Sequence, residues 1–163
     1  MAFWKQKRKL LAVGEHAGAF RLARLDGGET SLTEITAGGP ALLAFFKVNC
    51  PVCQMTLPYL ERIYTPDRMP VYGISQNGAE DTREFNTRFR VTFPTLLDTE
   101  HTGFPVSNAF GISSVPTLFL IERDGSVSRV IEGWRKDEVA RLGAQVGVDP
   151  FQHNDSVPEW KAG

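Results

Sequence analysis

The stretch that most restricts the fold of this sequence is PALLAFFKV, residues 40–48. It is apolar at almost every position and lacks the alternation of polar and apolar residues that marks a strand with one face in water. A strand of this kind is expected in the interior of a sheet, with both of its faces covered. The rest of the chain must therefore supply helices for two faces.

Helix-like and strand-like segments alternate after this run. Residues 50–64 carry an apolar helical face, residues 69–75 form an apolar strand, and residues 78–89 are acidic at the start and basic at the end, as suits a helix dipole. A short extended segment at residues 93–98 and a short helix at residues 104–111 are expected to follow. Such alternation is typical of parallel β-α-β units.

Two hairpins complete the pattern. Residues 116–122 and 126–134 read as strands joined at Asp124-Gly125, a strong hairpin signal, and residues 135–146 read as the last helix. Residues 19–35 read as another hairpin, which turns at Asp26-Gly27-Gly28. The sequence therefore predicts an α/β protein with a central mixed β-sheet, helices on both faces and an N-terminal β-hairpin.

The 163 residues suffice for one domain. We predict a basic N-terminal tail at residues 1–13, which contains KQKRK, a domain at residues 14–147, and a C-terminal tail without hydrophobic period at residues 148–163. The apolar stretch after the basic run is too short for a secretory signal, so we expect a cytoplasmic protein, or an extracytoplasmic one if a signal has been removed. A net charge of -1 predicts no binding to nucleic acid or to a membrane.

The only two cysteines, Cys50 and Cys53, stand at CxxC spacing where strand 40–48 gives way to a helix. Free amide groups and the helix dipole at this position stabilise a thiolate on Cys50. Pro51 suits the first helical turn because it has no N–H to leave unpaired there. Cys53 lies nearly one turn further on the same side. Our hypothesis is that Cys50 attacks a disulfide and that Cys53 then resolves the mixed disulfide.

Two other interpretations of the cysteine pair stay open at this point. A structural zinc site needs about four ligands, but there is no second cysteine pair, and the three histidines are scattered without ligand spacing. The cysteines could also be inert core residues, because cysteine often packs as a small apolar side chain. We expect no metal site and favour redox chemistry.

Four features occur in a fixed order across residues 14–146: CPVC, then Pro58, then VTFPTLLD at residues 91–98, and finally GISSVPTLFLIERDGSV at residues 111–127. In them the chain resembles thioredoxin-fold proteins, and in particular the TlpA/ResA-like thiol-disulfide oxidoreductases and their AhpC/TSA-related (redoxin) cousins. The resemblance implies a thioredoxin-like fold and exchange of protein disulfides through Cys50 and Cys53. It also implies a protein or small-thiol electron donor and no cofactor besides the redox-active disulfide. We expect a monomer.

The resemblance assigns further site residues. Val115-Pro116 would be a cis peptide opposite the cysteines, and the exposed backbone of Val115 would pair with an extended substrate segment. Asn49 and Phe46 stand where the family often has tryptophan. With Pro51 they complete the predicted set of substrate-binding and supporting residues.

The chain also departs from the family. Ala44 occupies the place of the buried acid that accepts a proton from the second cysteine, and Gln76 or Asn77 lies near the glutamate that some ResA-like proteins use instead. Glu80 is expected to lie too far along the chain. Lys47 is a speculative substitute, although solvation at the strand end explains it more simply.

Two alternative functions are kept. A peroxidase would carry PxxxTxxC, but Leu43 stands in place of the proline and Lys47 in place of the threonine. A binding module for metal delivery or partner recognition would use the same scaffold without turnover. Hydroperoxide consumption would reveal the first function, and stoichiometric metal binding the second.

Overall fold

The computed structural model describes residues 9–163, so the basic run that begins at Lys5 lies outside it except for Lys9. The described part of the predicted N-terminal tail lies along the domain. The amide of Leu11 donates to the carbonyl of Phe110 at 2.9 Å, and the amide of Gly14 donates to Val127 at 2.8 Å. Backbone hydrogen bonds therefore attach this segment to the domain.

The chain alternates strands and helices as predicted. The strands are β1 (Arg21–Arg24), β2 (Glu29–Ser31), β3 (Ala41–Phe46), β4 (Val71–Ser75), β5 (Thr95–Leu97), β6 (Thr117–Ile121), β7 (Val127–Glu132), β8 (Trp134–Arg135) and β9 (Trp160–Lys161). The helices are α1 (Leu32–Ile35), α2 (Pro51–Ile63), α3 (Ala79–Phe89), α4 (Pro105–Ala109) and α5 (Lys136–Gln145), with a 3-10 turn at Glu100–Thr102.

Seven of these strands form one sheet in the order β2-β1-β5-β4-β3-β6-β7. Strand β4 runs parallel to both β3 and β5, whereas the other pairs are antiparallel. The N-terminal hairpin joins the sheet because β1 also pairs with β5. The predicted mixed sheet and N-terminal hairpin are confirmed.

Strand β3 lies inside this sheet, between β4 and β6, and each of its residues is buried. Successive side chains of a strand point to opposite faces. Phe45 packs against Phe110, just after α4, at 5.1 Å between ring centroids, whereas Phe46 packs against Phe85 of α3 at the same distance. Helical segments therefore cover both faces of the sheet, as the apolar run 40–48 predicted.

The first helix was not predicted. Sequence patterns indicated that residues 19–35 form a hairpin, yet the hairpin ends at Ser31, whose hydroxyl accepts a hydrogen bond from the amide of Glu34 and caps α1. A helix of one turn is too short to show a hydrophobic period, so only the cap marks it.

The segment that sequence patterns indicated as a C-terminal tail, residues 148–163, packs onto the domain. The ring of Phe151 lies 5.3 Å from Tyr59 of α2 and 6.2 Å from Trp134 of β8. The guanidinium of Arg62 donates to Asp155 at 2.6 Å. The segment lacks hydrophobic period because single side chains hold it rather than a continuous apolar face.

Candidate active site

Cys50 is the N-cap of α2, with an extended backbone, and Pro51 is the first residue of the helix. The amide of Cys53 donates to the Sγ of Cys50 at 3.0 Å. The sulfur thus takes the place that a serine or aspartate oxygen usually takes at a helix start. The helix continues through Pro58, the proline on which part of the family resemblance rests.

The two thiols differ in acidity. The pKa of Cys50 is lowered from 9.0 to about 6. The largest cause is a hydrogen bond that the Cys53 thiol donates to the Cys50 sulfur. The amides of Cys53 and Val52 and, to a smaller extent, the charge of Lys47 act in the same direction, against the cost of burial. Burial, followed by the neighbouring Cys50 sulfur, raises the pKa of Cys53. At neutral pH Cys50 is therefore a partly exposed thiolate and Cys53 a buried thiol.

The peptide bond between Val115 and Pro116 is cis, as the resemblance implied. The Sγ of Cys50 lies 3.5 Å from the carbonyl oxygen of Val115. Among residues 9–163, the amide N–H of Val115 has no hydrogen-bond partner. The loop before β6 and the start of α2 are thus brought together at Cys50.

The other predicted residues take different places. Asn49 and Pro51 are exposed beside the cysteine. Phe46 is fully buried against Phe85, so its position is a supporting one below the site and not a contact for substrate. Its role and those of the other predicted site residues remain predictions.

A position normally filled by an acid is apolar here, because Ala44 is fully buried in β3. The side chain of Gln76 donates to the hydroxyl of Ser107 at 2.9 Å, and Glu80 is exposed in the first turn of α3. Gln76 also lines a cavity of about 150 Å³ together with exposed Lys47 and residues 112–115. The side chains that line this cavity provide amide, hydroxyl and ammonium groups but no carboxylate.

Two residues that sequence patterns did not single out as positioning groups hold the loop between β3 and Cys50. The side-chain oxygen of Asn77 accepts a hydrogen bond from the amide of Val48 at 2.9 Å, and Gln54 of α2 donates to the carbonyl of Val48 at 3.0 Å. Asn77 lies 29 residues away from Val48 along the chain, so no local motif could have revealed this contact.

We expect Asn77→Ala to lower the free energy of unfolding by about 1–2 kcal/mol, because the half-buried amide of Val48 loses its acceptor. Urea unfolding followed by circular dichroism measures the change. Asn77→Asp is the matched control, since it keeps an oxygen acceptor, and should lose less. Equal losses in both variants would contradict the assigned hydrogen bond.

The site offers little support for the two alternative functions, peroxidase and metal-binding module. Leu43, at the place of the peroxidatic proline, is fully buried within β3, and Lys47, at the place of the threonine, is exposed. In the described part of the chain, no three histidine, cysteine, aspartate or glutamate side chains cluster in a way that could hold a metal ion.

Residues 13–130 match the AhpC/TSA family. The chain belongs to this family. The thiol-disulfide oxidoreductase ResA of Geobacillus thermodenitrificans is 31% identical to it over 138 residues, which cover 78% of this chain and 73% of ResA. ResA of Geobacillus kaustophilus is 29% identical over 147 residues, with coverage of 83% and 78%.

A solved structure shows the fold. The thioredoxin domain of the thiol-disulfide oxidoreductase BVU-2223 from Bacteroides vulgatus aligns with a TM-score of 0.73 at 23% identity, and the alignment covers 83% of this chain and 98% of that domain. The thioredoxin-like fold is therefore confirmed. This AhpC/TSA member, with its CXXC pair and its ResA relatives, is a thiol-disulfide oxidoreductase, and the peroxidase alternative is not favoured.

Proposed function

We propose that Cys50 attacks disulfides of partner proteins and that Cys53 resolves the resulting mixed disulfide. The observation that carries this proposal is the unequal pair of thiols: a Cys50 sulfur that is ionised near neutral pH in a partly exposed residue, beside a protonated and buried Cys53. A nucleophile with a pKa near ambient pH is well suited to thiol-disulfide exchange.

The Cys50 thiolate forms a bond to one substrate sulfur, and the substrate disulfide breaks, releasing the other sulfur as a thiolate. Cys53 then loses its proton and attacks the Sγ of Cys50, which releases the second substrate thiolate and leaves a Cys50–Cys53 disulfide. Two electrons pass to the substrate. A thiol donor, either a protein or a small molecule, restores the reduced pair.

The first step of the reaction makes deprotonation of Cys53, which the second step needs, more favourable. The Cys50 sulfur contributes to the raised pKa of Cys53 in the reduced protein. Once Cys50 is bonded to the substrate, it carries no charge, so this contribution is lost and Cys53 gives up its proton more readily. The side chains that line the cavity beside Val115, Gln76 and Lys47 among them, include no carboxylate that could take up this proton.

Docking of a protein substrate uses the backbone of Val115. Its amide N–H is unpaired among the described residues, and its carbonyl lies beside the Cys50 sulfur. An extended segment that pairs with this backbone would place its own disulfide near Cys50. The roles proposed for Val115 and Pro116 rest on this geometry.

The direction of electron flow depends on the reduction potential of the Cys50–Cys53 couple, which equilibration against glutathione buffers measures.

The cytoplasmic location stays a prediction from the sequence. None of the helices in residues 9–163 is long and apolar enough to cross a bilayer. A structurally similar disulfide oxidoreductase from Mycobacterium tuberculosis, 20% identical, is a secreted protein, so cell fractionation is the measurement that locates this chain.

The proposal is tested by the pH dependence of Cys50 alkylation. Because only the thiolate reacts, the rate with iodoacetamide should fall as the pH drops below about 6 and reach a plateau above about 7. Mass spectrometry should find one modified cysteine, since Cys53 is buried and its pKa is raised. A midpoint near 9, the ordinary value for a thiol, would contradict the proposed nucleophile.

A further inference from the structure

The last residues of the chain reach the place where we propose that substrates dock. Strand β9 pairs antiparallel with β8, with Trp160 opposite Arg135 and Lys161 opposite Trp134. Beyond it, the backbone approaches the cis-proline loop so closely that a methyl group built on Gly163 would clash with the carbonyl oxygen of Val115. Gly163 therefore touches the same carbonyl that lies beside the Cys50 sulfur.

A second glycine marks the course of this segment. Gly133, just before β8, donates its amide to the carbonyl of Pro116 at 2.8 Å. A methyl group built on it would lie 2.5 Å from the carbonyl oxygen of Lys161 and 3.1 Å from the amide nitrogen of Gly163. Residues 161–163 thus run across Gly133 toward Val115, in close backbone contact.

The segment is anchored at one end. The indole N–H of Trp134 donates to the carbonyl of Pro158 at 2.6 Å, and the amide of Lys136 donates to the carbonyl of Glu159 at 3.0 Å. Residues 160–163 beyond these anchors are exposed, and 56% of the surface of Trp160 is accessible to solvent. Few buried apolar contacts hold such a segment in place, so it can open at small cost.

We propose that residues 160–163 are an intramolecular competitor for the substrate-docking backbone of Val115. This inference rests on the proposed function, since it assumes that extended segments of protein substrates dock there. A protein substrate must displace residues 160–163 before it can pair, so its apparent affinity is reduced by the fraction of molecules in which the segment is open. Small disulfides, which need no strand pairing, react without this hindrance.

The main test is a chain that ends at Glu159. This variant keeps the carbonyls of Pro158 and Glu159 that anchor the segment and removes only exposed residues, so the core remains intact. We expect kcat/KM for a protein disulfide such as insulin to rise about fivefold, as a mostly closed segment predicts. With oxidised glutathione as a small disulfide, the rate should stay within about twofold.

A full-length variant tests the same contact without truncation. Gly163→Val places a side chain against the carbonyl of Val115 and should also raise kcat/KM for insulin. Gly18→Val is the matched control, because a methyl group on Gly18 meets nothing within 4 Å, and it should leave the rate unchanged. Unchanged or slower insulin reduction by both the shortened chain and Gly163→Val, with normal glutathione rates, would overturn the proposal.

Binding separates this inference from the proposed function. A free peptide with the sequence of Glu159–Gly163, added to the shortened chain, should shift the amide resonances of Val115 and Gly133 saturably and leave those of the full-length chain unchanged. Absence of these shifts would overturn the proposal that residues 160–163 compete for the backbone of Val115. Shifts in a protein that exchanges no disulfides would support occupation of the Val115 backbone and refute only the proposed function.

Discussion

Replacing Cys50 with serine is expected to lower the rate of protein disulfide reduction by about a thousandfold or more. The Cys50 thiolate is the proposed attacking atom, and a serine hydroxyl is neither ionised at neutral pH nor able to form a disulfide. Reduction of insulin by dithiothreitol, followed by turbidity, measures the loss. The other thiol cannot compensate, because Cys53 is fully buried and protonated.

The variant is conservative for the fold. A serine oxygen at position 50 can accept the same hydrogen bond from the amide of Cys53, so the start of α2 stays capped. Thermal unfolding should therefore resemble that of the unaltered protein in its reduced form. If the folded variant still reduced insulin at the original rate, the nucleophile would be misassigned.

Replacing Cys53 with serine is expected to stop the reaction after its first step, with a loss of turnover about as large as for Cys50→Ser. Cys50 still attacks, but no second thiol is present to release the substrate. A mixed disulfide between Cys50 and the substrate should accumulate with one substrate per chain, visible by mass spectrometry and by gel electrophoresis without reductant. Turnover without a trapped complex would contradict the resolving role of Cys53.

The same position also controls the acidity of Cys50. The hydrogen bond from the Cys53 thiol is the largest cause of the lowered Cys50 pKa. Cys53→Ala removes this donor, so the midpoint of the Cys50 alkylation profile should rise from about 6 toward 9.0, whereas Cys53→Ser keeps a donor and should raise it less. Midpoints near 6 in both variants would show that the hydrogen bond from Cys53 is not what holds the thiolate.

Much of the fold follows from local sequence. The unbroken apolar run in β3 requires cover on both faces, and Asp124-Gly125 marks the hairpin of β6 and β7, because each feature acts over a few neighbouring residues. The cysteine pair could also be predicted from the sequence, since its spacing and its place at a helix start are both local features. A single helical turn such as α1 lacks this information.

The contacts that hold the site together could not be predicted from the sequence. Asn77 accepts from Val48 across 29 positions of the sequence, and Gln54 completes the support of the same loop. A buried carboxylate, Asp98, accepts hydrogen bonds from the amides of Val106 and Ser107 and so fixes α4, and no sequence pattern pointed to this role. Polar side chains show no periodicity in the sequence from which such distant partners could be predicted.

By itself the sequence determined the order of strands and helices, the class of fold and the two sulfurs, because hydrophobic pattern and residue spacing act within one element. The tertiary structure decided that Cys53 is buried while Cys50 is partly exposed, and that Val115 lies beside the Cys50 sulfur. It also decided that Gly163 lies against that same backbone. Burial and close approach depend on elements far apart in the chain, and only packing brings them together.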